Sequence, residues 1–168
     1  MCGKHIFYTE TETINEKGLE WIKREFPQFE FIPVKGTKGH LDGYFSILKP
    51  GLVISGIPKS QFPEQFKNWE FITFGSENYN DVKIIDEFVQ DTDFENTTLA
   101  VNCISIDEEN VIILKHIVDN HPTLMKAIEK HKINIIPLKH DMARWINQGI
   151  SCMCNQIERK GKLVNYFE

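Results

Sequence analysis

The chain has 168 residues, of which 41% are apolar and 26% are charged, and it carries a net charge of −5. This length supports one buried core, so residues 1–168 are expected to form a single domain, and the negative charge argues against nucleic acid or an anionic membrane as the main partner. Four cysteines are too few for a disulfide scaffold, there is no apolar N-terminal segment, and no apolar run approaches the ~20 residues of a membrane span, so a cytoplasmic location with reduced thiols is expected.

The first half of the chain predicts a helix between two strands, followed by a β-β-α-β unit. Leu19, Ile22 and Phe26 lie at helical spacing, whereas the strand segments alternate between apolar and polar residues. Strands are predicted at 6–8, 29–34, 40–48, 52–55 and 69–74, and helices at 16–26 and 60–67.

The second half predicts the same β-β-α-β order again. Strands are expected at 99–106, 111–114 and 133–138, a helix at 122–131, and further strands at 151–157 and 163–167, while the polar segment 75–98 is expected to be one long surface loop. Two such units in tandem indicate a structural repeat. The predicted class is therefore α/β, with hairpins that converge on a common centre.

Two predicted strands carry side chains capable of catalysis. Alternation places His40 and Asp42 on one face of the first, and Cys152 and Cys154 on one face of the second. A cysteine and a histidine that are distant in sequence can supply a thiolate nucleophile and a general acid/base. Other interpretations stay open at this point: a solvated polar face around His40, and a zinc site or two inert buried thiols for the cysteine pair.

Residues 39–55 (GHLDGYFSILKPGLVIS) resemble the His-x-Asp hairpin of the glycine and inosamine amidinotransferases, which belong to the guanidine-modifying pentein superfamily. Residues 18–21, 101–108 and 152–167 resemble, in that order, the helix before this hairpin, the next hairpin, and the cysteine strand with the C-terminal end of the family. The similarity covers the chain from about Gly3 onward and concerns the C-terminal part of the family only.

The resemblance implies a pentein-like α/β propeller built of ββαβ repeats, of which this chain, as a truncated domain, would hold about three of five. It also implies site residues. Cys152 matches the catalytic nucleophile, with Cys154 as the alternative if the register shifts, and His40 matches the catalytic histidine. Asp42 matches an aspartate that binds the substrate guanidinium, and Lys59 lies where the family has an arginine close to the substrate carboxylate.

The function implied is amidino transfer from a guanidino compound such as arginine, through an amidino-cysteine intermediate. An amine acceptor makes the enzyme a transferase, and water makes it a hydrolase. Neither a cofactor nor a metal is expected. The expected partners are the guanidino substrate, the acceptor amine, and a second copy or another chain that completes the ring. The family's histidine-orienting aspartate has no counterpart in this sequence, which leaves open a catalytically silent binding protein.

Two structural expectations follow from these assignments. His40, Asp42 and Cys152 should meet in one polar cleft, with the thiol close to the imidazole ring. The Cys152 thiol, as a nucleophile beside a histidine, should have a lowered pKa, while Cys103 is expected to be buried in a strand.

Overall fold

A computed structural model describes residues 3–9, 15–37, 39–73, 100–140, 149–154, 157 and 164–167. The loop predicted at 75–98 lies outside the described residues, and so do residues 158–162 between the last two predicted strands. In the described part of the chain, no helix is long and apolar enough to cross a membrane.

The N-terminal unit is a helix between two parallel strands. Strand β1 spans His5–Tyr8, helix α1 spans Glu16–Glu25 and strand β2 spans Glu30–Pro33, and β1 pairs with β2 in parallel. Asn15 caps α1 by accepting a hydrogen bond of 2.8 Å from the Gly18 amide, which satisfies one of the free N–H groups of the first turn. All three predicted elements are confirmed.

The central unit is a hairpin followed by a parallel strand. Strands β3 (Phe45–Lys49) and β4 (Leu52–Ser55) pair antiparallel, and β5 (Glu70–Thr73) pairs in parallel with β4. The hairpin turns at Gly51, whose φ of +81° suits glycine. The single helix predicted at 60–67 is instead two 3₁₀ turns, because Pro63 in its middle is incompatible with a continuous helix.

The third unit repeats this topology. Strands β6 (Ile104–Ser105) and β7 (Asn110–Leu114) pair antiparallel, and β8 (Asn134–Leu138) pairs in parallel with β7. Helix α3 (Pro122–Lys130) was predicted and begins with proline, which is favourable in the first turn. The preceding short helix α2 (Lys115–Asn120) was not predicted, and β6 is shorter than expected.

Strand β4 is buried on both faces between two hydrophobic clusters. Its Leu52 and Ile54 pack with the third unit, including Ile113 and Ile128. Val53 points the opposite way, into an aromatic cluster that contains Phe66 and Trp69, with Phe7 and Phe167 against it. The hairpin β3–β4 is therefore held firmly, and so is the turn that leads into it.

Two strand predictions around the candidate site are wrong. Residues 40–44, predicted as the start of a strand, contain a 3₁₀ turn at Leu41–Gly43, and β3 begins only at Phe45. Residues 151–157, also predicted as a strand, begin with the one-turn helix α4 (Ile150–Met153). His40 and Asp42 therefore do not share a strand face, and neither do Cys152 and Cys154. The strand predicted at 163–167 is also wrong, because residues 164–167, the part of it that the structure describes, form no strand.

Candidate active site

Asp42 lies in the 3₁₀ turn that leads into β3. The turn is closed by backbone hydrogen bonds from Gly43 to His40, at 3.1 Å, and from Tyr44 to Leu41, at 2.9 Å. Asp42 is half-buried, whereas His40, which precedes the turn with an extended backbone, is exposed. The turn thus directs a partly desolvated carboxylate inward and leaves the imidazole accessible to a ligand.

Cys152 lies on α4 and meets Asp42 directly. Its Sγ donates a hydrogen bond of 3.0 Å to Asp42 Oδ2, although the two residues are 110 positions apart in the chain. Cys152 and Cys154 are both exposed, and Cys154 follows the end of α4. The structure therefore brings together the predicted nucleophile and the predicted guanidinium-binding carboxylate.

Two polar residues that the sequence did not single out complete this contact. Asn102 Nδ2 donates to Asp42 Oδ2 at 3.0 Å and to Cys152 Sγ at 3.3 Å. Ser151 Oγ donates to Asp42 Oδ2 at 2.9 Å. Asn102 lies in the segment 101–108 that carries the family resemblance, but neither an asparagine nor a serine indicates catalysis by itself. Their contacts with Asp42 and Cys152 span 50 to 109 positions, so local sequence does not reveal that they meet.

The Asp42 carboxylate is stabilised in its charged form. Burial alone would raise its pKa, but the hydrogen bonds from Cys152, Ser151 and Asn102, together with the nearby positive charge of protonated His40, outweigh this effect and lower the pKa. Asp42 is therefore a fixed negative charge at neutral pH, which is what a cationic ligand requires.

The Cys152 thiol differs from the prediction. Burial raises its pKa, and the acceptor bond and negative charge of Asp42 raise it further, against smaller opposing contributions from the Gly149 backbone and Asn102. The expected lowering of the pKa is therefore wrong for the unliganded protein. Cys103 is buried as predicted, and burial raises its pKa to about 12, which makes it an inert thiol.

Lys59, the remaining predicted site residue, makes contacts at and next to strand β5. Its Nζ donates a hydrogen bond of 2.7 Å to the Trp69 carbonyl and lies 5.1 Å from the centre of the Phe71 ring. A contact between Lys59 and a substrate would require these interactions to break. The residues that the structure describes contain no group of three or more His, Cys, Asp and Glu side chains able to hold a metal ion.

Solved structures share the fold of this chain. An inosamine-phosphate amidinotransferase from Streptomyces griseus superposes with a TM-score of 0.74 and 19% identity, over 99% of this chain and 47% of that one. A dimethylarginine dimethylaminohydrolase from Pseudomonas aeruginosa superposes with a TM-score of 0.62 and 17% identity, over 91% of this chain and 51% of that one. The chain thus has a mixed α/β fold similar to that of these two solved structures.

Sequence comparison finds similar proteins among the curated amidinotransferases. The mitochondrial glycine amidinotransferase of Danio rerio is 26% identical over 174 residues, which cover 99% of this chain and 38% of that protein. Inosamine-phosphate amidinotransferase 1 of Streptomyces glaucescens is 22% identical, over 98% of this chain and 46% of that protein. No protein-family profile matches the chain.

The predicted resemblance to the C-terminal part of the pentein amidinotransferases is confirmed by these relatives. The chain spans less than half the length of the curated relatives that it matches.

Proposed function

We propose that this chain carries a guanidino-modifying site in which Cys152 is the nucleophile, Asp42 binds the guanidinium and His40 is the general acid and base. The observation that carries the proposal is the 3.0 Å hydrogen bond between Cys152 Sγ and Asp42 Oδ2. It places a thiol beside a carboxylate whose pKa is lowered, which is the pairing needed to attack a cation held by that carboxylate.

Binding of the substrate would itself activate the thiol. A guanidinium is a planar, permanently charged fork that pairs with both oxygens of a carboxylate. At Asp42 Oδ2 it competes with the hydrogen bonds from Cys152, Ser151 and Asn102, and its positive charge offsets the negative charge that raises the Cys152 pKa. The pKa of Cys152 therefore falls as the substrate enters, and the thiolate forms beside its target.

The proposed reaction then has two steps. Cys152 thiolate forms a C–S bond to the central guanidino carbon, the C–N bond to the leaving amine breaks, and protonated His40 gives that nitrogen a proton. The amine departs and leaves an amidino-cysteine. An incoming amine then loses a proton to neutral His40 and attacks the amidino carbon, which breaks the C–S bond and restores the Cys152 thiolate.

Hydrolysis on the same site is the second candidate. It is supported by the likeness of the fold to a dimethylarginine dimethylaminohydrolase that was solved with citrulline. Water would replace the incoming amine in the second step. The product is urea if the alkylamine left in the first step, and citrulline if ammonia left and the rest of arginine stayed on Cys152.

We also propose how the two three-stranded sheets are arranged and that a partner covers this chain. Each three-stranded sheet, β3–β4–β5 and β6–β7–β8, would be one module of a pentein propeller, and a second copy of this chain or another chain would pack beside these modules. Support for a covering partner comes from β8, whose Ile136 and Leu138 are exposed.

The test is incubation of the protein with arginine labelled in its guanidino carbon, followed by intact-mass measurement and product analysis. We expect one labelled amidino group on Cys152, and transfer of the label to added glycine. The adduct should persist in Cys154→Ser and disappear in Cys152→Ser, which is the matched control. Label released as urea or found in citrulline would favour the hydrolase, and a folded protein that forms neither adduct nor product would contradict both enzymatic functions.

A further inference from the structure

Asn102 is the most deeply buried polar residue beside Cys152. Its exposed fraction is 1%. Its Nδ2 donates to the Asp42 carbonyl at 3.1 Å, to Asp42 Oδ2 at 3.0 Å and to Cys152 Sγ at 3.3 Å. Its Oδ1 accepts from the Ser151 amide at 2.7 Å. It also lies 2.8 Å from Ser151 Oγ, whose single proton is shared between Asn102 Oδ1 and Asp42 Oδ2. One neutral side chain thus links the Asp42 turn to helix α4.

The orientation of the Asn102 amide is determined by its surroundings. The Ser151 backbone N–H can only donate, so the atom of Asn102 that faces α4 must be the oxygen. The amino group must then face Asp42 and the Cys152 sulfur. Because an amide does not ionise at physiological pH, it remains a donor to sulfur whether the thiol is protonated or not.

Gly149 keeps the space that this side chain occupies. A Cβ at residue 149 would lie 2.1 Å from Asn102 Cγ and 2.2 Å from Oδ1, which is far inside van der Waals contact. The backbone of Gly149 has φ −77° and ψ 173°, a conformation open to any residue. Glycine is therefore needed here for space alone, because α4 packs directly onto the Asn102 amide.

We propose that Asn102 is a positioning residue for Cys152: its Nδ2 group stabilises the thiolate and its Oδ1 holds the first turn of α4 in place. The inference rests on the proposed function only in taking Cys152 as the nucleophile. When a guanidinium neutralises Asp42, the donor to sulfur remains, so Asn102 favours the charged form of the thiol at the stage at which that form has to attack.

The test follows the ionisation of Cys152 without any substrate. Iodoacetamide alkylation is measured for each cysteine by peptide mass spectrometry across a pH series, because only the thiolate reacts. In Asn102→Asp, the oxygen that accepts from Ser151 is retained and the donor to sulfur is lost. We expect the Cys152 profile to move to higher pH by about one unit, which is about a tenfold slower reaction near neutral pH. Asn120→Asp, the same change on exposed α2, should leave the profile unchanged.

A second variant and a measurement on the wild-type protein distinguish loss of the Asn102 hydrogen bond from misfolding. Asn102→Ala removes the donor without adding charge and should shift the profile in the same direction by less. In wild-type protein labelled with ¹⁵N-asparagine, the Asn102 side-chain NH₂ signal should titrate together with Cys152 alkylation. An Asn102 NH₂ signal that does not shift as Cys152 ionises would overturn the proposal. Unchanged Cys152 alkylation profiles in both folded variants would do the same. Turnover of arginine is a separate readout, so a shifted profile without turnover would refute the proposed function and leave this inference standing.

Discussion

Asp42 acts on its neighbours in two opposite ways. It accepts hydrogen bonds at Oδ2 from Cys152 at 3.0 Å and from Ser151 at 2.9 Å, and these bonds lower its own pKa against the effect of burial. The same negative charge raises the pKa of Cys152. The resting site therefore holds a charged carboxylate and a protonated thiol, and a cation at Asp42 is what reverses this balance.

Asp42→Asn should make the resting thiol more reactive. The substitution removes the negative charge that, after burial, helps to raise the pKa of Cys152, and it leaves only a neutral amide oxygen as acceptor, so the thiolate forms at lower pH. We expect alkylation of Cys152 at about pH 7.5 to be several-fold faster, since each unit of pKa corresponds to about a tenfold change while the thiol is mostly protonated. The measurement is iodoacetamide labelling read by peptide mass.

The matched control for this variant is Asp119→Asn, which removes an exposed carboxylate paired with Lys115 on α2. Its Cys152 should react at the wild-type rate. Equal or slower labelling of Cys152 in Asp42→Asn would show that Asp42 does not hold the thiol in its protonated form.

At the level of elements, the sequence predicted the strand that is buried throughout, β4, and the amphipathic, capped helix α1. The two short elements of the candidate site were not predicted. Residues 40–44 alternate in polarity like a strand but contain a 3₁₀ turn, and Ile150–Met153 form a one-turn helix. These two elements make contacts that are distant in sequence, such as the Ser151 amide on Asn102 Oδ1 at a separation of 49 positions. The residue types of the site were therefore predictable, and the turns that present them were not.

Gly149→Ala tests how tightly α4 packs onto the Asn102 side chain. The added methyl would overlap the Asn102 side chain, with Cβ 2.1 Å from Cγ, so either α4 or Asn102 must move. We expect a loss of about 1–3 kcal/mol in the free energy of unfolding, measured by urea titration. The same substitution at Gly18 in α1 meets only Asn15 Oδ1 at 3.5 Å and should stabilise by up to about 1 kcal/mol. A neutral Gly149→Ala would mean that α4 is not held by this packing.

For the whole molecule, the aromatic cluster joins the first strand to the C-terminal residues. Phe167 stacks on Trp69 at 4.8 Å between ring centres and meets the Phe7 ring at 5.5 Å and the Phe66 ring at 5.2 Å. Gly3 also approaches this segment: a Cβ there would lie 2.7 Å from Asn165 Cα. The two described ends of the chain therefore close over the central unit, on the opposite face of β4 from the third unit.

Phe167→Ala should therefore destabilise the molecule as a whole rather than fray one end. Removing the ring deletes contacts with β1, with the 3₁₀ turn at Glu64–Phe66 and with Trp69 at once. Because Phe167 is only partly buried, we expect the free energy of unfolding to fall by about 2 kcal/mol, below the range for a fully buried phenylalanine. Urea unfolding followed by Trp fluorescence and by far-UV circular dichroism should give one coincident, shifted transition. Phe26→Ala, where the ring is 46% exposed, should change the midpoint little. An unchanged midpoint in Phe167→Ala, or a fluorescence transition that separates from the circular dichroism transition, would show that the C-terminal residues are not part of the cooperative core.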